Sequence, residues 1–218
     1  MVMIFKSREH AAHLLLEKLL QHERAETVVL AVPRGAVPMG LVIAHGLRCP
    51  LDIVPVRKVS SPLAPEFALG AADIEGNFYP EEEVLNLPHE QLRLWFRKSL
   101  EVLRQRDFRW RKSAPHLSLR DKRIVLVDDG VATGATMRAA LMWARRRQPA
   151  EIIAAVAVSS SEGMSVMTRF ADRVECLHVA KLFSAVGEFY VDFSEVSDDD
   201  VCSMLQKARS ADAVLRNE

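Results

Sequence analysis

Ile124-Val-Leu-Val-Asp-Asp-Gly-Val-Ala-Thr-Gly-Ala-Thr136 is the stretch on which the reading of this chain turns. The stretch Lys122 to Val127, apolar from Ile124 onward, predicts a buried strand. The strand delivers two adjacent carboxylates, Asp128 and Asp129, at its C-terminal end. A short loop with two threonines and Gly134 follows, and then Met137, Ala140, Leu141 and Ala144 recur at helical spacing over 133–147. The first amides of a helix have no partner within it and attract phosphate. Gly134 lets the backbone approach such a phosphate closely, and the hydroxyls of Thr133 and Thr136 can donate to it. Asp128 and Asp129 suit two neighbouring ribose hydroxyls, or a hard cation such as Mg²⁺. An isolated Asp-Gly or Thr-Gly is an ordinary turn. Strand, acid pair, loop and helix together fit one ligand with a phosphate at one end and a cis-diol at the other, a ribose 5-phosphate.

Outward from this segment the pattern alternates. Upstream, Ser7 caps a helix whose Ala12, Leu15, Leu16, Leu19 and Leu20 share a face. Thr27 to Val32 is a strand ending at Pro33, 35–46 a helix with Pro38 in its first turn, and Asp52 to Val59 a second strand with an irregular start at Pro55. Residues 60–80 carry Pro62, Pro65, Gly70, Gly76 and Pro80 and predict a long loop or a loose hairpin. Residues 88–112 return to helix period, with Leu92, Phe96, Leu100 and Leu103 inward. Downstream come a strand at 151–158, a helix at 162–170, a strand at 173–178, and a last helix opened by Ser197 before three aspartates. Alternating strands and helices with apolar strands predict an α/β fold: a parallel sheet with helices on both faces. Ligands of such sheets bind beyond the C-terminal strand ends.

Composition narrows the classes. The chain has 218 residues, 49% hydrophobic, with 29 basic against 29 acidic side chains. No global field favours nucleic acid or anionic lipid. Cys49, Cys176 and Cys202 form no CxxC pair, and an odd count offers no disulfide framework. No apolar run approaches the roughly 20 residues of a membrane helix, and Lys6, Arg8 and Glu9 interrupt any leader-like start. The expectation is a single cytoplasmic domain over 1–218 with no membrane association. Phosphate-loop, dinucleotide, zinc-protease and serine-hydrolase motifs are absent.

The quoted segment resembles the PRPP-binding motif of type I phosphoribosyltransferases, PRPP being 5-phosphoribosyl 1-pyrophosphate. That motif is an apolar strand, an acidic pair, two variable residues, a small or acidic residue, and Thr-Gly-x-Thr. The resemblance implies that Asp128 and Asp129 take the ribose hydroxyls and Mg²⁺. Ala132, Thr133, Gly134, Ala135 and Thr136 take the 5-phosphate. Ala31-Val-Pro-Arg-Gly35 stands where the family has its pyrophosphate loop, often with an unusual peptide, so Arg34 and Gly35 are expected there. Arg57 and Lys58 match the basic position that reaches the diphosphate; Lys58, Asp128 and Asp129 are the expected catalytic residues. Residues 60–79 correspond to the family's mobile catalytic loop, with Glu66 and Asp73 as candidate closing residues, and 60–115 reads as a loop and helical insertion. The aromatic-rich 178–196 stretch resembles the acceptor hood, which puts Val186, Phe189 and Phe193 beside the acceptor, with Tyr190 a further stacking candidate.

The activity so implied is Mg²⁺-dependent transfer of ribose 5-phosphate from PRPP to a nitrogen nucleophile, a nucleobase or a related acceptor, with release of pyrophosphate. One departure bears on the acceptor: purine-salvage members carry an aspartate where this chain has Ala132, which cannot move a proton. A second reading is a non-catalytic PRPP-binding regulator of nucleotide metabolism. Arg93, Arg97, Lys98, Arg104, Arg106, Arg109, Arg111 and Lys112 would form its nucleic-acid patch, but Glu90, Glu101 and Asp107 dilute it and no nucleic-acid partner is expected. Members of the fold often form homodimers, and the first helix or the basic helix offers a contact.

Overall fold

The chain runs α1 (Arg8–Leu19), β1 (Thr27–Ala31), α2 (Val37–Leu47), β2 (Leu51–Ile53), β3 (Val56–Ser61), β4 (Ala64–Asp73), β5 (Phe78–Pro80), α3 (His89–Arg111), β6 (Arg123–Val131), α4 (Ala135–Arg145), β7 (Glu151–Ser159), α5 (Ser161–Phe170), β8 (Arg173–Val179) and α6 (Asp198–Leu215). The structure is a computed structural model. It describes residues 4–21, 26–61, 64–81, 84, 88–112 and 114–215, with backbone alone at 64–67 and 213–215.

Five strands form a parallel sheet in the order β2-β1-β6-β7-β8. Ile124, Val125, Leu126 and Val127 of the central β6 are fully buried, as are Ile152 to Val158 of β7. This is why these strands read as continuous apolar runs: helices cover both faces, so neither face of the pleat is left for polar residues. α1 and α2 pack on each other, and α4 and α5 do the same. The connections leave β1 in two directions. α2 leads to β2 on one side, while the later strands continue from β6 on the other. The reversal opens a crevice beyond the C-terminal ends of β1 and β6, the place where open α/β sheets bind ligands.

The segment after β2 departs from expectation. The single strand predicted over Asp52–Val59 is two strands in different sheets, broken at Val54 and Pro55. Arg57 and Lys58 therefore sit within β3 rather than at a strand end. Of the long loop or loose hairpin predicted over 60–80, the structure takes the second form: the described residues build antiparallel sheet, in the order β3-β4-β5. Its glycines occupy special backbone positions inside the sheet. Gly70 has φ +139, and a side chain there would meet the Tyr79 carbonyl across the ladder at 2.2 Å. Gly76 has φ +91 in the β4–β5 turn, where the Asp73 carboxylate accepts from the amides of Glu75 and Asn77. Asp73 is fully buried and also receives bonds from Asn77, Tyr79 and Arg146. It is thus a structural anchor between the antiparallel sheet and the end of α4, not a closing residue of a mobile loop. The side chain of Glu66 lies outside the described residues.

α3 lays Leu92, Leu100 and Leu103 against the antiparallel sheet and α6. Its basic residues are partly spent inside the molecule. Arg111 is buried between Asp107 and Asp52, and Arg106 and Arg109 pair with Asp198 and Asp199 of α6. At the start of α6, Ser197 and Asp200 cap each other reciprocally, as expected. No helix among the described residues is long and apolar enough to cross a membrane.

Candidate functional site

The C-terminal ends of β1 and β6, together with Lys58 from within β3, open into one cavity of about 720 Å³. β6 runs to Val131, past the predicted Val127, and Asp128 and Asp129 lie within the strand near its C-terminal end, where the sequence put them. Asp129 is 8% exposed and Asp128 is half-buried. The Asp129 amide donates to Asp128 Oδ1 at 2.9 Å, and the two carboxyl groups also share a side-chain hydrogen bond. Burial, and then the neighbouring Asp129 charge, push the Asp128 carboxyl well above its ordinary range. Burial also raises Asp129, and the Arg8 guanidinium beside it offsets part of the rise. Two carboxylates in so enclosed a place resist joint ionisation. A ligand that brings hydroxyl donors or positive charge relieves both.

The loop after β6 behaves as its composition requires. Gly134 has φ +87 and caps α4, with Val166 packed where a side chain would be. Ala132 and Thr133 are exposed, and Ala132, Thr133, Gly134, Ala135 and Thr136 all line the cavity. The Thr133 hydroxyl accepts a long bond from the Ala135 amide, 3.4 Å. The first-turn amides of α4 therefore open on the cavity, a few residues after the acid pair along one continuous wall.

After β1, Arg34 and Gly35 line the same cavity, and the Pro33–Arg34 peptide is cis. Gly35 approaches the acid pair so closely that a Cβ on it would lie 2.3 Å from Asp129 Oδ2. Arg34 donates to Glu195 at 2.7 Å. Lys58 lines the same cavity; Arg57, its neighbour on the other face of β3, does not. Arg57 lines a side cavity of about 270 Å³ with Lys58, Arg106 and Trp110, and its buried Nε has no acceptor among the described residues. Burial lowers the Arg57 pKa, and the Arg106 and Arg34 charges lower it further.

The hood residues divide. Val186 and Phe193 line the cavity. Phe189 does not: it is 4% exposed and packs against Phe183 and His178. Tyr190 is also buried, and its hydroxyl donates to the Asp129 carbonyl at 2.6 Å. Phe189 fills the core under the hood because residues 186–189 form a 3-10 turn that points it inward. That turn is invisible to residue type alone, which offered three aromatics as equals. The structure also adds Arg8, Glu81, Glu162 and Glu195 to the lining. None carries a local signal, since each comes from a different part of the chain and meets the others only once it is folded. Among the described residues no group of three or more His, Cys, Asp and Glu could by itself hold a metal ion.

Known proteins share this architecture. Residues 3–194 match the family model of the phosphoribosyl transferase domain. A Mycobacterium tuberculosis protein, present in two strains and provisionally named a phosphoribosyl transferase, is 34% identical over 229 residues, covering 99% of this chain and 52% of that protein. The chain thus spans about half the length of the curated relatives it matches. Among solved structures, TT1426 from Thermus thermophilus is 40% identical with a TM-score of 0.77, over 94% of this chain and 99% of that one. The AQ2163 protein from Aquifex aeolicus is 13% identical with a TM-score of 0.50, over 83% and 78% of the two chains, a likeness of fold alone.

Proposed function

The chain belongs to the phosphoribosyltransferase family, and from that premise we propose that it transfers ribose 5-phosphate from PRPP to a nitrogen nucleophile with release of pyrophosphate. One observation carries the reading. Three segments far apart in sequence, 33–35, Lys58 and 128–136, line a single cavity beyond the sheet's C-terminal edge. Each has the chemistry that one part of PRPP requires.

In this reading the 5-phosphate lies on the amides and hydroxyls of 132–136, where the α4 dipole adds to the hydrogen bonds. Asp128 and Asp129 accept from the ribose hydroxyls. Arg34, the Gly35 backbone and Lys58 hold the diphosphate and stabilise the charge it gains as it leaves. Gly35 and Asp129 are near enough to each other that the diphosphate and hydroxyl ends converge, as they must around one anomeric carbon. The acceptor enters between Val186, Phe193 and the loop. A carbon–oxygen bond to pyrophosphate breaks, a carbon–nitrogen bond forms, and the nitrogen gives up a proton. Ala132 cannot take that proton. The acceptor arrives without it or passes it to Glu81 or Glu162, carboxylates that line the same cavity away from the acid pair.

The residues fit Mg²⁺ in the form usual for phosphate substrates, one or two carboxylates completed by ligand oxygens and water. Asp128 and Asp129 would supply those carboxylates. The ion would neutralise charge on the departing diphosphate.

The test is a panel of nucleobases and simple amines incubated with PRPP and Mg²⁺, read by pyrophosphate release. At least one acceptor should release pyrophosphate, and Asp128→Asn with Asp129→Asn should abolish it. Unchanged PRPP affinity of that double variant in calorimetry would overturn the assignment of the acid pair.

A further inference from the structure

The cavity contains a cation that the sequence motifs do not account for. Arg8 stands in the first turn of α1, 121 residues from Asp129, and its Nε donates to Asp129 Oδ2 at 2.8 Å. Its Nη1 donates to the Ser194 carbonyl at 2.7 Å. Its guanidinium carbon lies 3.8 Å above the centre of the Phe193 ring. The side chains of Arg8 and Asp129 are only 11% and 12% exposed. Arg8 is therefore held on three sides, by strand, hood backbone and hood aromatic.

The main chain just before it is fastened to the hood. The Phe5 amide donates to the Phe189 carbonyl, the Val191 amide to the Phe5 carbonyl, and the Asp192 amide to the Lys6 carbonyl. Ser7 then caps α1 by accepting from the His10 amide. These bonds set the register of the first turn against the hood. Tyr190, next to the paired residues, donates to the carbonyl of Asp129 itself. The N-terminal segment and the hood thus meet at Asp129, one at its carboxylate and the other at its backbone.

We propose that Arg8 is the positioning residue of the ribose end of the site: it fixes the Asp129 carboxylate at the cavity wall and ties it to the hood that receives the acceptor. This rests on the reading of Asp129 as a ribose-hydroxyl acceptor. A fork with one branch on Asp129 and another on Ser194 transmits the position of each to the other, which a lysine, with a single nitrogen on a flexible stem, cannot do. Arg8 also covers one face of Phe193, whose ring is flanked by Tyr190 at 5.1 Å between centroids. A flat acceptor then meets the guanidinium and the ring edge rather than an open aromatic face. Arg8 is required for this arrangement, and none of its contacts named above reaches the 133–136 loop.

The experiment compares calorimetric binding of PRPP and of inorganic phosphate to the wild type, Arg8→Gln, Arg8→Lys, Asp129→Asn and the Arg8→Gln/Asp129→Asn double variant. Arg8→Gln should weaken PRPP by tenfold or more and phosphate by less than twofold. Arg8→Lys should fall between, and Arg8→Gln should add less than twofold in the Asp129→Asn background. Retained phosphate binding also shows that a variant is folded. If Arg8→Gln does not fold, Arg8→Lys carries the test, with weakened PRPP and unchanged phosphate as the supporting result. Equal loss of both ligands, loss of neither, or full additivity with Asp129→Asn overturns the inference. A wild type that binds phosphate but not PRPP overturns the parent reading, and this inference with it; a wild type that binds PRPP while Arg8→Gln is unchanged overturns this inference alone.

Discussion

Replacing Gly35 by alanine adds one carbon, and the structure says where it goes. The new Cβ would lie 2.3 Å from Asp129 Oδ2, 3.1 Å from its Cγ and 3.3 Å from an Arg8 nitrogen. Real Cβ atoms keep at least 3.0 Å from such neighbours, so the carboxylate must retreat by about 0.7 Å. It cannot do so without disturbing its 2.8 Å bond to Arg8. A hydrogen bond to a charged group contributes about 1.5–3 kcal/mol. If the same carboxylate must also bind ribose hydroxyls, PRPP affinity should fall about 10- to 100-fold, since each 1.4 kcal/mol is a factor of ten. Gly35 does not have a positive φ. The alanine therefore strains no backbone angle, and its lower unfolded-state entropy returns about 0.4–1 kcal/mol. The net cost to the fold is then about 0.5–2.6 kcal/mol, so Gly35→Ala should melt about 1–10 °C below the wild type while binding PRPP poorly. Calorimetry with PRPP, beside a thermal melt, separates the two. A Gly35→Ala protein that binds PRPP within twofold of the wild type would refute the placement of Asp129 on the ligand.

Asp73→Ala removes the acceptor for Asn77, Tyr79, two amides and Arg146 together, and should cost about 3–5 kcal/mol, a fall in Tm of about 6–20 °C for a chain of this size. Burial raises the Asp73 pKa, but bonds from Asn77, Arg146 and Tyr79 outweigh it and the net shift is downward; its stabilisation is therefore present above the unfolded carboxylate pKa of about 3.9 and lost as pH falls through the lower folded value. Tm measured against pH should show a steeper loss at acid pH in the wild type than in Asp73→Asn, and parallel curves would remove Asp73 from that role. Lys58→Ala should weaken PRPP by about tenfold or more while leaving ribose 5-phosphate, which has no diphosphate, within about twofold; equal loss for both ligands in calorimetry would place Lys58 elsewhere than on the diphosphate.

The parallel sheet, the helices on both faces and the 124–136 segment were legible because they are local. A buried strand must be apolar throughout, a helix shows its period, and an acid pair before a threonine-glycine loop keeps its spacing whatever surrounds it. The same locality could not choose between loop and hairpin at 60–80. Proline and glycine there report turn and bulge positions, and nothing within the segment shows that Gly70 makes room for a carbonyl of the next strand. Arg57 and Lys58 were adjacent in sequence and alike in charge. Only the folded chain puts Lys58 on both cavities and Arg57 on the smaller one without the larger.

Residue order alone determined the class of fold and the succession of acid pair, threonine-glycine loop and helix start in one segment, since both depend on neighbours within a strand, a loop or a turn of helix. Tertiary structure decided which side chains complete the site. Phe189 turned into the core, Phe193 came under a guanidinium, and Arg8 reached across 121 residues to Asp129. Contacts of that range follow from how the sheet orders its strands and where the N-terminal segment pairs with the hood, and no spacing along the chain encodes them.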